Sequence, residues 1–137
     1  MTAYAIKVEI VEPSSLSFEF VAQKTMYGGK KIAAGDAIFL FASENEGGEG
    51  LVAKSRVTSS SPVAREPGIE RQTPRVSITV ERLATARHRL GRKELKPFAD
   101  WDDGRAETEL NLKFYRQATD KIVGLSDRAA GYLEGLF

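Results

Sequence analysis

The 137-residue chain has no cysteine, one histidine, and no apolar run near the roughly 20 residues that a membrane-spanning helix requires. Without cysteine it can form no disulfide framework, thiolate metal site or cysteine nucleophile. The single His88 excludes a two-histidine metal site, and its basic surroundings are a poor setting for a serine triad. Net charge is nearly absent too, because 20 Lys and Arg face 19 Asp and Glu and leave +1. Such a balance gives no general attraction to nucleic acid or membrane, so any binding of that kind must come from local clustering. The amino-terminal MTAYAIKVEIVEPSS carries neither the basic cluster nor the apolar core of a secretory signal, and the expectation is a cytoplasmic protein.

Motifs that would carry chemistry are equally sparse. YGGKK lacks the glycine frame that precedes Lys-Ser/Thr in a phosphate loop, and GGEG puts a carboxylate where phosphate would sit. Both read as turns. DWDDG opens like a calcium loop but has Arg105 at the sixth position and Asn111 at the twelfth. Glu44, Glu46 and Glu49 flank a glycine-rich tip with nothing to desolvate them and separate their pKa values. The sequence therefore predicts no catalytic residue, no metal and no cofactor.

What is present is strand patterning. The length suits one domain over 1–137. Tyr4, Ile6, Val8 and Ile10 alternate with Lys7 and Glu9, the signature of a half-buried strand over 4–11. Leu16, Phe18 and Phe20 alternate in a second, which QKTMYGGKK interrupts, and residues 37–42 are apolar throughout, as in a strand covered on both faces. After the tip ENEGGEG, residues 51–58 return as the partner of a hairpin, with Lys54 and Arg56 on its polar face. The proline- and serine-rich stretch 59–74 reads as a long loop, and Val76, Ile78 and Val80 as another strand. A short helix fits the basic segment that follows. Leu110, Leu112 and Phe114 alternate, which predicts a strand over 109–115, and Ser126 is placed to cap a terminal helix through about 136. The expected class is α+β, a small mixed or antiparallel barrel flanked by short helices.

One segment is electrically distinct. Arg82, Arg87, Arg89, Arg92, Lys93 and Lys96, with His88, face the single acid Glu94. Clusters of this kind grip phosphates irrespective of base sequence. Aromatic residues sit beside other cations: Tyr27 between Lys24 and Lys30, Trp101 in a polar loop, and Tyr115 next to Arg116. Stacking platforms beside cations are what an unpaired base and its phosphate require.

KKIAAGDAIFLFASENEGGEGLVAKSRVTS, with the closing FYRQATDKIVGLSDRAAGYLEGLF, resembles the PUA-like superfamily, most nearly its EVE-type members, with ASCH-type domains as cousins. The resemblance lies in a basic segment before a Gly-Asp-apolar strand, a partner strand GLVAKSRV, and a late T-x-K-I-x-x-L. It implies a compact β-barrel with a cleft that binds RNA or DNA, single-stranded or modified, with a flipped base held in an aromatic-lined pocket. By matching segments it assigns Lys24, Thr25 and Tyr27 before the Gly-Asp strand, Phe41 and Ser43 at its end, and Arg116 and Lys121 near the closing motif, and Lys30 joins the set as a cation beside Tyr27. Lys54, Arg56 and Trp101 complete the candidate binding set. The opening lacks the Trp and KSEP-like sequence of EVE domains, and 62–103 does not align. A small metal-independent ribonuclease of ASCH type, using Lys24, Tyr27 and Lys30, is the competing reading, and a protein-interaction domain is the third.

Overall fold

The computed structural model describes residues 3–117 and 120–137. Six strands close a barrel in the order β1-β3-β4-β5-β2-β6. They are β1 (Ala3–Val8), β2 (Ser17–Met26), β3 (Ala37–Ala42), β4 (Gly50–Pro62), β5 (Arg75–Thr85) and β6 (Lys121–Leu125). β1 runs parallel to β3 and β2 parallel to β6, while the remaining pairs are antiparallel. The expected mixed barrel is the observed one.

Two apolar layers follow from strand alternation. Tyr4, Ile6, Ile38, Leu40, Val57, Ile78 and Ile122 belong to the layer that fills the barrel. Ala5, Phe39, Phe41 and Val123, on the alternate positions, pack against three helices: α1 (Arg92–Leu95), α2 (Ala106–Asn111) and α3 (Asp127–Glu134). Phe114 packs against Phe41 with tilted rings and centroids 4.7 Å apart, and burial of such a side chain stabilises the fold by about 2–3 kcal/mol. β1 is thus covered on both faces. The half-buried strand expected there is incorrect, and so is a solvent face for Lys7, which is 1% exposed.

Residues 109–115 are not a strand. α2 continues into a π-helical turn over Leu112–Gln117, because Ala106, Leu110 and Phe114 at four-residue spacing give one continuous buried stripe. Leu112, which the alternation would have buried, stays partly exposed. β2 runs on to Met26 through an irregularity at Ala22, which has a φ of 52°, so QKTM does not end it. β4 reaches Pro62, which shortens the predicted loop to 63–74. β6 was not foreseen as a strand, and Thr119 of the closing motif lies outside the described residues. The β3–β4 hairpin is as expected, and Ser126 does cap α3, its hydroxyl accepting from Ala129 N–H at 3.1 Å.

Candidate nucleic-acid interface

The parallel pairing of β1 and β3 brings their carboxyl ends side by side, with Ser43 N–H donating to Val8 carbonyl at 2.8 Å. Lys7 and Glu44 thereby meet at the junction of barrel and helices. The π-helical turn delivers Tyr115 to the same place. Its phenol donates to the Glu44 carboxylate, at 2.9 Å from Oε1 and 3.0 Å from Oε2. Lys7 Nζ sits 4.1 Å from the centroid of the Tyr115 ring, and the Arg92 guanidinium sits 5.2 Å from the same centroid. Arg92 N–H donates to Glu44 Oε2 at 2.6 Å, so the start of α1 is tied to the same carboxylate.

The electrostatics of this cluster are unusual. Burial lowers the Lys7 pKa, with Arg92 acting in the same direction and Glu44 and Asp120 opposing it. Among the described residues, Lys7 Nζ forms no ion pair within 4 Å and no hydrogen bond, although an ammonium carries three donors. Burial, followed by the charge and hydrogen bond of Glu44, raises the Tyr115 phenol well above its usual range, so it remains a donor. The arrangement offers N–H donors and aromatic surface to an electron-rich partner such as a phosphate or a base carbonyl.

A second cation beside it is spoken for. Lys113, 9% exposed, donates to Gly124 carbonyl at 2.8 Å and Glu109 Oε2 at 3.0 Å, and lies 4.5 Å from the Tyr27 ring centroid. Burial would raise the Glu109 carboxyl, but bonds from Ser126 and Lys113 outweigh it and hold the pKa below the ordinary range. This clamp fastens the π-helical turn to β6 and fixes the approach of Tyr115.

The predicted site residues divide into three groups. Ser43 borders the Lys7 cluster, and Arg116 stacks over Trp101 at 5.5 Å, giving an exposed cation on an exposed indole. Lys24 and Lys121 are register partners across β2 and β6, while Tyr27 and Lys30 lie in or beside the following turn and are exposed. Four residues are otherwise engaged. Phe41 is wholly buried, Thr25 donates its hydroxyl to Pro74 carbonyl at 2.9 Å, Lys54 pairs with Glu134 at 2.5 Å, and Arg56 pairs with Glu81. Phe41 offers no surface to a base, and Lys54 and Arg56 contact neighbouring acids. Of the basic segment, Arg82 bonds the carbonyls of Pro13 and Ser15, whereas Arg87, Arg89, Arg92, Lys93 and Lys96 are exposed on either side of the start of α1. His88 is exposed, and no group of three His, Cys, Asp or Glu is placed to hold a metal among the described residues.

Lys7 was missed because alternation assigned it to the solvent face of β1, and only the helix layer shows otherwise. A weak signal existed in the neighbourhood of Tyr115 to a cation.

No protein-family model matches the chain, and no curated protein matches it in sequence. Solved structures match its fold along nearly its whole length. Human THYN1 in complex with 5-methylcytosine-containing DNA superposes with a TM-score of 0.67 at 14% identity, covering 99% of this chain and 97% of that one. The DUF55 domain of human thymocyte nuclear protein 1 gives 0.64 at 14% identity, covering 98% and 97%. A Pseudomonas putida protein gives 0.63, also at 14%, covering 98% of each. At such identity the likeness concerns architecture. What they share with this chain is the fold, a closed six-strand barrel with a helix layer.

Proposed function

We propose that the chain is a non-catalytic nucleic-acid-binding module in which exposed cations around α1 hold the phosphate backbone and the Lys7–Tyr115 cluster receives an oxygen of a phosphate or of a displaced base. The observation that carries this reading is Lys7, 1% exposed as a side chain and without an ion-pair partner among the described residues, whose ammonium is left to meet solvent or a ligand. A folded protein gains nothing by burying a charge this way, and an anionic or carbonyl-bearing ligand supplies the missing partner. Arg116 over Trp101 adds the cation and aromatic surface that a neighbouring nucleotide would use. The fold shared with THYN1, whose structure holds 5-methylcytosine-containing DNA, supports a modified base in DNA as the first ligand to try.

The test is fluorescence anisotropy with duplex and single-stranded DNA and RNA, with and without 5-methylcytosine, at 50 and 200 mM salt. About three phosphate contacts to duplex DNA would lower affinity roughly 40-fold between these concentrations. Selective, salt-dependent binding with oligonucleotides of unchanged length supports the module. Shortened oligonucleotides would favour the ribonuclease reading, and salt-independent binding would refute the phosphate grip.

A further inference from the structure

The opposite character belongs to the surface around residues 9–21. Two clefts of about 700 and 910 Å³ flank the segment between β1 and β2. Their lining includes six carboxylates, Glu9, Glu12, Glu19, Glu46, Glu49 and Asp120, against one cation, Arg82. Arg82 is occupied by the carbonyls of Pro13 and Ser15, and none of the six carboxylates has an ion-pair partner among the described residues. In a chain of net charge +1 this is a strong local concentration of negative charge.

Apolar side chains stand in the same frame. Val11 is 83% exposed, Leu16 77% and Val21 60%, and the half-buried Ile10 and Phe18 lie beneath them. Singly exposed apolar residues are ordinary, but each cleft here has a pair of them, Val11 with Val21 in one and Val11 with Leu16 in the other, as at an interaction surface. An acidic rim also disqualifies this face for nucleic acid.

The backbone adds a third feature. Arg82 N–H donates to Leu16 carbonyl at 2.8 Å, and Ser17 is in register with Glu81. By the alternation of an antiparallel ladder, Leu16, Phe18 and Phe20 direct their backbone groups to β5, and Ser17, Glu19 and Val21 direct theirs away. β6 pairs with β2 only from Lys24 onward, so the Glu19 N–H and carbonyl lie on a strand edge without a strand partner among the described residues. Side-chain groups of Ser15 and Gln23 cover the carbonyls of Ser17 and Val21.

We infer that this face docks an extended segment of a partner protein in which Lys or Arg alternates with apolar residues. Its apolar side chains, on one face of the added strand, would pack on Leu16 and Phe18, its cations, on the other, would meet the Glu19 carboxylate with Glu12 in the same cleft, and its backbone would pair with the free edge at Glu19.

The experiment titrates a fluorescent octapeptide of alternating Lys and Val into the full chain, with alternating Glu-Val and Lys-Ser octapeptides as comparisons. The expected result is saturable binding of Lys-Val only, weakened at least tenfold by Leu16→Asp and by Glu12→Lys with Glu19→Lys. Glu66→Lys, which lines neither cleft, should leave it unchanged. Backbone amide shifts should move within 9–21. Equal binding of the three peptides, indifference to Leu16→Asp, or shifts located elsewhere would overturn the assignment. So would concentration-dependent dimerisation abolished by Leu16→Asp, which would give the face to a second copy of the chain.

Discussion

Replacement of Lys7 by methionine should make the protein more stable and a poorer ligand binder. Lys7 is 1% exposed, and its ammonium receives only the Tyr115 ring at 4.1 Å and the unbonded fields of Glu44 and Asp120. A cation–π contact contributes about 0.5–2 kcal/mol, whereas taking an ion out of water costs several. Methionine keeps the length and apolar stem of lysine without the charge. The net gain on Lys7→Met is therefore about 1–2 kcal/mol at pH 7, or roughly 4–8 °C in melting temperature. The sign can be checked against pH. The Lys7 pKa lies below 10.5 in the folded protein, so between that lowered value and 10.5 the unfolded chain binds more protons. Wild-type stability consequently gains on the variant as pH rises through this window. Urea unfolding of both proteins between pH 7 and 10 should show the advantage of the variant shrinking. A Lys7→Met protein less stable than wild type by more than about 1 kcal/mol at pH 7 would mean that the ammonium is part of the structural network, and the reasoning would fail.

Other consequences are as direct. Glu109→Ala should cost about 2–3 kcal/mol at neutral pH, since it removes the carboxylate that accepts from Ser126 and pairs with Lys113, which keeps only the Gly124 carbonyl, and the deficit should fade as acid titrates the wild-type carboxyl through its lowered pKa. Chemical unfolding at pH 7 and pH 3 measures both. Gly50→Ala should destabilise by about 2–4 kcal/mol, because Gly50 has a φ of 87° and a new Cβ would strike the Leu90 carbonyl that accepts from Leu51; thermal melting reads the loss. Spectrophotometric titration should find Tyr4, Tyr115 and Tyr132 ionising above the ordinary phenol range, with Tyr115→Phe removing the highest transition. Arg116→Ala should weaken DNA binding and make the log–log salt slope shallower by about 1 if that guanidinium holds a phosphate.

The barrel was largely legible because its strands obey period two or are wholly apolar, and neither pattern depends on distant residues. The β3–β4 hairpin and the Ser126 cap were fixed by local chemistry alone. Where the reading failed, a local pattern was compatible with two structures. Leu110, Leu112 and Phe114 alternate, yet Ala106, Leu110 and Phe114 also form a helical stripe, and packing against the barrel decided for the stripe. The same packing explains the site. Lys7 lies on a face that the helices cover, so its burial is a tertiary fact that no spacing in β1 reveals. The resemblance assigned Ser43 by its place at the end of the Gly-Asp strand, but it could not show that Lys54 and Arg56 contact acids across strands and against α3.

The most direct test of the nucleic-acid face is photocrosslinking with a duplex containing 5-iodocytosine, followed by mass-spectrometric mapping of the attached peptides. The account predicts adducts on the segments holding Trp101 and Tyr115, lost when excess unlabelled 5-methylcytosine duplex competes. Adducts confined to residues 9–21, or no specific adduct at any salt concentration, would contradict it.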